Sequence, residues 1–201
     1  MSESPLSYEY ERDDYYCLPN SSVLKNKLGI EDEQELEKAE REVTGLKAVQ
    51  FSQNPFSGEL DFSYVKRLHK WLFEDIYEWA GEIRRIDISK GNIFCQHDLI
   101  EVNAEALMNE LKNEDYLASK TKEEMIERLA YYLGDLNSIH PFREGNGRVQ
   151  RLFIIELASR AGYELDFSKV TPKEMIKASD KAFNHNYSAL EAIISRTLKH
   201  L

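Results

Sequence analysis

Residues 140–151 read His-Pro-Phe-Arg-Glu-Gly-Asn-Gly-Arg-Val-Gln-Arg, and no other stretch constrains the fold of this chain as strongly. Pro141 pushes the residue before it out of the α region, so a helix running up to Ile139 stops there and His140 opens a loop. Gly145 and Gly147 give that loop conformations closed to other residues and let its backbone approach a ligand. Asn146 can hydrogen-bond within the turn or cap the next helix. Beyond it, Leu152, Phe153, Ile154, Ile155, Leu157, Ala158 and Ala161 make that helix, to Gly162, apolar nearly all round. Such a helix belongs at the centre of a core.

The rest of the pattern supplies helices to surround it. Helical character begins near Ser21 or Ser22, pauses at Gly29 and resumes from Asp32, an N-cap, to about Gln50. Asn54 to Gly58 has the composition of a loop. From Asp61, the residues Phe62, Val65, Leu68, Leu72, Ile76 and Trp79 recur at steps of three and four, which predicts one long helix ended by Gly81. The period then changes. Ile86 and Ile88 alternate with charge, Lys90-Gly91-Asn92 makes a turn, and Ile93-Phe94-Cys95 returns, so about 83–96 reads as a β-hairpin. Further helices fall at about 97–113, 122–139, 147–161, 172–182 and 185–200. The architecture expected is mainly α with one hairpin: an N-terminal arm, 1–20, acidic and tyrosine-rich, and a single domain, 21–201.

Charge narrows the function. The net charge is −10, from 26 Lys and Arg against 36 Asp and Glu, which argues against sequence-independent nucleic-acid binding. No apolar run approaches the roughly 20 residues of a membrane span, and Met1 to Pro5 lacks the make-up of a signal peptide. Cys17 and Cys95 stand in no ligand spacing, as fits a protein of the reducing cytoplasm.

Within this acidic chain the charge inverts locally. His140, Arg143, Arg148 and Arg151 face one acid, Glu144. Arg148 and Arg151 lie three apart on one face of the first helical turns, where the positive end of the helix dipole opposes them by a few tenths to about 1 kcal/mol each. Glycines, free backbone N–H groups and two guanidiniums converge usefully only on an anion, and a polyphosphate fits best. Glu144, beside the glycine loop, could then hold Mg²⁺ against the phosphates. The bland alternatives are a capping His140, a solvated Glu144, and arginines in structural ion pairs with Glu156 or another acid. His69, His97, His185 and His200 read as structural or surface residues.

His140 to Arg148, with Arg151 three beyond, resembles the active-site motif of the Fic (filamentation induced by cAMP) family, His-x-Phe-x-Asp/Glu-Gly-Asn-Gly-Arg-x-x-Arg, at every specified position. Asn26 to Ile30, Leu72 to Gly81 and Ile88 to Gly91 resemble the family's opening helix, pre-flap helix and flap, so the likeness spans about 20–200. It implies the Fic fold and adenylylation: a protein hydroxyl (Tyr, Ser or Thr) attacks the α-phosphorus of ATP and pyrophosphate leaves. On that resemblance His140 is the general base. Glu144 binds Mg²⁺; Gly145, Asn146 and Gly147 cradle phosphates; Arg148 and Arg151 hold the outer ones; and Lys90 and Gly91 touch the nucleotide. Phe142 anchors the loop. The hairpin, through Ile86, Asp87, Ile88, Ser89 and Phe94, docks the target segment by strand addition.

The resemblance bears on regulation too. Many Fic proteins have an inhibitory helix, Ser/Thr-x-x-x-Glu-Gly/Asn, whose glutamate pairs with the last arginine of the motif, here Arg151. The spacings Ser7–Glu11 and Ser119–Glu123 both end wrongly. A small antitoxin-like partner acting near Arg151 is therefore expected, with this chain as the toxin. Phosphoryl transfer, UMP or GMP transfer, and a non-catalytic binding module are the competing readings. Retention of Gly145, Gly147 and Arg151 weighs against the first, and retention of His140 and Glu144 against the last.

Overall fold

In a computed structural model, which describes residues 13–201, the chain folds into seven α-helices and two small antiparallel sheets among those residues. The helices are α1 (Glu33–Gln53), α2 (Phe62–Phe73), α3 (Ile100–Asn113), α4 (Lys122–Ile139), α5 (Asn146–Arg160), α6 (Pro172–Ala182) and α7 (Ser188–Thr197). The strands β1 (Ser89–Lys90) and β2 (Asn92–Ile93) form the hairpin. A second pair, β3 (Tyr163–Leu165) and β4 (Leu198–His200), joins the end of α5 to the chain's last residues. No helix among the described residues is long and apolar enough to cross a membrane.

The apolar α5 lies where its sequence demands. Val149, Phe153, Ile154, Leu157 and Ala158 are all solvent-free, and the helix packs against α2, α4 and β3. α4 in turn packs on α3, α6 and α7, and α1 covers α2. The start of α4 is set by a capping box: Thr121 Oγ1 accepts the Glu124 N–H while Glu124 reaches back to the Thr121 N–H. Its other end is fixed by Pro141, so the loop that begins at His140 leaves the core at a defined point.

Four expectations are corrected. Residues 21–29 are turns and a bridge between Cys17 and Leu24, not a helix. Asn26 explains why: its amide donates to the Leu24 and Ile30 carbonyls and its Oδ1 accepts the Ile30 N–H, a local closure that competes with helix. The helix from Asp61 ends at Phe73, not Gly81; Ile76, Tyr77 and Trp79 are buried from successive turns, so apolar spacing continued after the helix had stopped. The last helix ends at Thr197, and Leu198–His200 pairs with Tyr163–Leu165, a strand in the stretch between the helices expected at 147–161 and 172–182. The hairpin pairs only Ser89 with Ile93 and Lys90 with Asn92, so Ile86, Ile88, Phe94 and Cys95 flank the strands.

The described part of the N-terminal segment belongs to the core: Tyr16 and Cys17 are buried in it. Tyr8 and Tyr10 of the expected arm lie outside the described residues. Asp13 accepts from Arg143 Nε at 3.1 Å, with both side chains almost wholly buried, so this segment braces the loop after His140 from behind. Removing one partner strands a buried charge, and Asp13→Ala is expected to cost about 3–5 kcal/mol in urea unfolding. An unchanged unfolding midpoint would show that the pair is not buried.

Candidate active site

His140 caps α4 in the left-handed region, φ 49° and ψ 62°, a conformation that costs a residue with a side chain of order 1–3 kcal/mol. Its N–H still donates to the Leu136 carbonyl at 3.1 Å, so the helix holds it there. Nδ1 lies 3.0 Å from the Asn137 carbonyl. A carbonyl only accepts, so Nδ1 carries the proton and Nε2 the lone pair. The Phe94 ring stacks on the imidazole at 3.8 Å between centroids, 18° from parallel. Burial, reinforced by the charges of Arg84 and Lys90, pushes the imidazole down to about 3. The ring is thus a neutral base of fixed tautomer.

The loop behind it is closed by Asn146. Its Oδ1 accepts the Phe142 N–H at 2.9 Å and its Nδ2 donates to the Phe142 carbonyl at 2.7 Å. The Asn146 side chain therefore shapes the turn, and its backbone N–H, in the first turn of α5, has no intrahelical acceptor. Gly145 sits at φ 81°, and a Cβ there would come within 2.2 Å of the Phe73 ring, so only glycine fits. His69, fully buried, stacks on Phe142 at 3.9 Å. Its Nδ1 accepts the Gly81 N–H at 2.7 Å and its Nε2 donates to the Glu144 carbonyl at 3.1 Å. Burial holds it neutral, down to about 3.

The basic cluster resolves unevenly. Arg143 points away from the loop's open side to Asp13. Arg148 pairs with Glu40 of α1 at 2.5 Å, reaches Thr44 at 3.4 Å and Glu144 at 3.5 Å, and lies over the Phe73 ring. Glu40 is itself buried and accepts from the Tyr77 hydroxyl. Its removal from water raises its pKa against the pull of Arg148. The alternative partner considered for these arginines, Glu156, pairs instead with Arg160. Arg151 is different. Among the described residues it makes no ion pair or hydrogen bond; burial, and then the charge of Arg148, lowers its pKa. Gly147 lies against it: a Cβ there would stand 3.1 Å from Arg151 Nη1. An uncompensated, half-buried cation beside open first-turn N–H groups is an arrangement that favours an anion.

Glu144 uses Oε1 to accept the Gly145 N–H at 2.7 Å, and its Oε2 bonds to nothing among the described residues. No group of three or more His, Cys, Asp or Glu side chains could hold a metal among them, so an ion here would rest on Glu144 and on oxygens brought by the ligand. On the hairpin, Ile88 is buried, Asp87 accepts the His97 N–H at 2.7 Å, and Gly91 turns at φ 76°. Asn92 donates to Asp180 of α6 at 2.5 Å, tying the tip to the body.

Glu40, Thr44, Tyr77 and Arg84 escaped sequence reasoning, while His69, read as structural or surface, is structural and buried. Glu40 and Thr44 left a readable trace, since they fall on the same inward stripe of α1 as Leu36. Polar residues at core positions of a helix signal a buried network.

The Fic/DOC family pattern matches residues 59–158. The chain is 39% identical over 188 residues to the probable protein adenylyltransferase y4lH of Sinorhizobium fredii, covering 92% of this chain and 96% of that one. It is 39% identical over 186 residues to the protein adenylyltransferase VbhT of Bartonella schoenbuchensis, covering 92% of this chain but only 39% of that longer protein. The BepC effector of Bartonella tribocorum, solved with bound AMPPNP, superposes with a TM-score of 0.89 at 26% identity, covering 92% and 97% of the two chains. The chain belongs to the Fic/DOC family.

The buried rings carry a prediction. With folded values near 3 against about 6.5 unfolded, the unfolded chain binds two protons that the folded chain refuses. Stability therefore falls as pH drops from about 6.5 towards 3. Imidazole resonances of His69 and His140 should stay in their neutral positions from about pH 8 to 5; a midpoint near 6.5 for either would contradict its burial.

Proposed function

We propose that this chain is a protein adenylyltransferase. ATP lies along residues 144–151, and a Ser, Thr or Tyr hydroxyl of a target protein gives its proton to His140 Nε2. The hydroxyl oxygen bonds to the α-phosphorus, the bond to the bridging oxygen breaks, and AMP stays on the protein as pyrophosphate leaves. Arg151 is the observation that carries this reading: a cation without a carboxylate among the described residues, at a helix N-terminus, in a chain of net charge −10. Gly145, Gly147 and the backbone of Asn146 supply N–H groups to the phosphates. Arg148, anchored by Glu40, adds a second positive charge to meet the negative charge that builds on the leaving pyrophosphate. The neutral tautomer of His140 leaves Nε2 ready to accept a proton at neutral pH.

Glu144 fits a Mg²⁺ ligand, because one carboxylate oxygen stays open beside the phosphate site and this ion is held by few protein groups. Bound there, Mg²⁺ would neutralise phosphate charge. Lys90 and Gly91, at the hairpin turn, would border the nucleotide. The strand edge of Ser89, with Ile86, Asp87, Ile88 and Phe94 around it, would align the target by backbone pairing.

Regulation fits the same cation. An antitoxin-type partner bringing a glutamate to Arg151 would occupy the outer-phosphate site and make this chain a toxin held in check. Ser119–Glu123 lies at the far end of α4 from His140, and Ser7–Glu11 lies outside the described residues. Two free thiols, Cys17 and Cys95, suit the cytoplasm as its setting.

The test uses purified chain, Mg²⁺ and ATP labelled at either the α- or the γ-phosphate, added to a bacterial lysate. Label from the α-phosphate on a protein, lost in His140→Ala, is the expected result. Label from the γ-phosphate alone would replace AMP transfer with phosphoryl transfer, and no label from either would reduce the chain to a binding module.

A further inference from the structure

Arg84 is 2% exposed, yet its guanidinium is directed chiefly at main-chain carbonyls. Nε donates to the His140 carbonyl at 2.9 Å, Nη1 to that of Ile86 at 2.6 Å, and Nη2 to those of Cys95 and, at 3.4 Å, Ile139. Its own N–H donates to the Pro141 carbonyl at 2.9 Å. Asp87 Oδ1 stands 3.7 Å from Nη1, on a side chain 53% exposed. The four acceptors come from three places: the last residues of α4, the ascending root of the hairpin at Ile86, and its descending root at Cys95. A planar fork with five N–H donors can satisfy carbonyls diverging in this way, and an ammonium group cannot. The fork also sets a positive charge at the C-terminal end of α4, where the helix dipole favours one.

We infer that Arg84 is a positioning residue, clamping both roots of the hairpin to the carbonyl of His140 so that base and hairpin hold one fixed relation. Phe94, which stacks on the imidazole, is one residue from the Cys95 root. The Cys95 N–H, donating to Ser138 at 3.0 Å, ties that root to α4 a second time. The roots and the imidazole are therefore held together by this clamp, while the turn is tied separately, through Asn92, to Asp180 of α6. The carbonyls that hold the guanidinium belong to Ile86, Cys95, Ile139 and His140, outside the loop 144–151, so its loss should fall on the hairpin and the base more than on the phosphate site. This inference rests on the reading of His140 as the base that receives the target's proton.

The test compares the full-length chain with Arg84→Gln and Arg84→Lys. Both variants should lose about 100-fold in kcat, the cost of roughly 1 Å of misplacement at a reacting group. KM for ATP, which rests chiefly on 144–151, should change far less than kcat in both. Arg84→Lys, which keeps the charge, should also keep most of the thermal midpoint, separating geometry from folding. Wild-type kcat in either variant, or KM for ATP rising in step with the fall in kcat, would overturn the inference. Amide hydrogen exchange on the unsubstituted chain gives an independent reading. The Arg84 and Cys95 amides should exchange as slowly as that of His140, and the Gly91 amide much faster. Roots exchanging as fast as the turn would overturn the clamp whatever the activity. Absence of AMP transfer by the unsubstituted chain would instead remove the functional reading, leaving the exchange result to decide on Arg84.

Discussion

Two guanidiniums stand three residues apart at the head of the buried helix α5, and the described residues provide carboxylates for one of them. Glu40, brought in by α1 and fixed by Tyr77, takes Arg148. Arg151 is left with burial, the helix dipole and its neighbour's charge all opposing it. Such a placement persists only where the surroundings are over-determined, and here they are. The apolar side chains of α5 lock the helix between α2 and α4, and that lock fixes where its N-terminus opens. The cation is thus held in place by hydrophobic packing against its own electrostatic preference. An anionic ligand relieves that imbalance.

The same division of labour shapes the loop. Asn146 closes it on Phe142, His69 pins the Glu144 carbonyl from below, Asp13 neutralises Arg143 from behind, and Phe73 leaves room at residue 145 for glycine alone. Each of these groups fixes a backbone position, leaving the Glu144 carboxylate, the first-turn N–H groups and Arg151 on the open side. His140 is reached from the other direction, as the strained last residue of α4, with its tautomer set by Asn137 and its ring plane by Phe94.

Much of this was legible in the sequence because its causes are local. Pro141 stops α4, Gly145 needs a positive φ, and Leu152 to Ala158 form a helix too apolar for any surface. Where periodicity outlived geometry the reading erred. Ile76 and Trp79 keep helical spacing after α2 ends, because buried turns also need apolar anchors. Asn26 overrides a helical stretch with bonds to its own backbone, and β3 pairs with residues more than thirty positions away, which no local pattern encodes. At the site, the groups within 140–151 were readable. Glu40 and Arg84 were not, since each reaches the loop from a distant segment and its partners are backbone atoms or buried charges.

The position of the phosphates decides whether Arg151 is a nucleotide receptor. A crystal structure with Mg²⁺ and a non-hydrolysable ATP analogue tests this directly. The terminal phosphate should bond to Arg151, with the inner phosphates on the N–H groups of 145–147 and the α-phosphorus facing His140 Nε2. A nucleotide bound in reverse, with its terminal phosphate facing His140, or one bound away from Arg151, would contradict it.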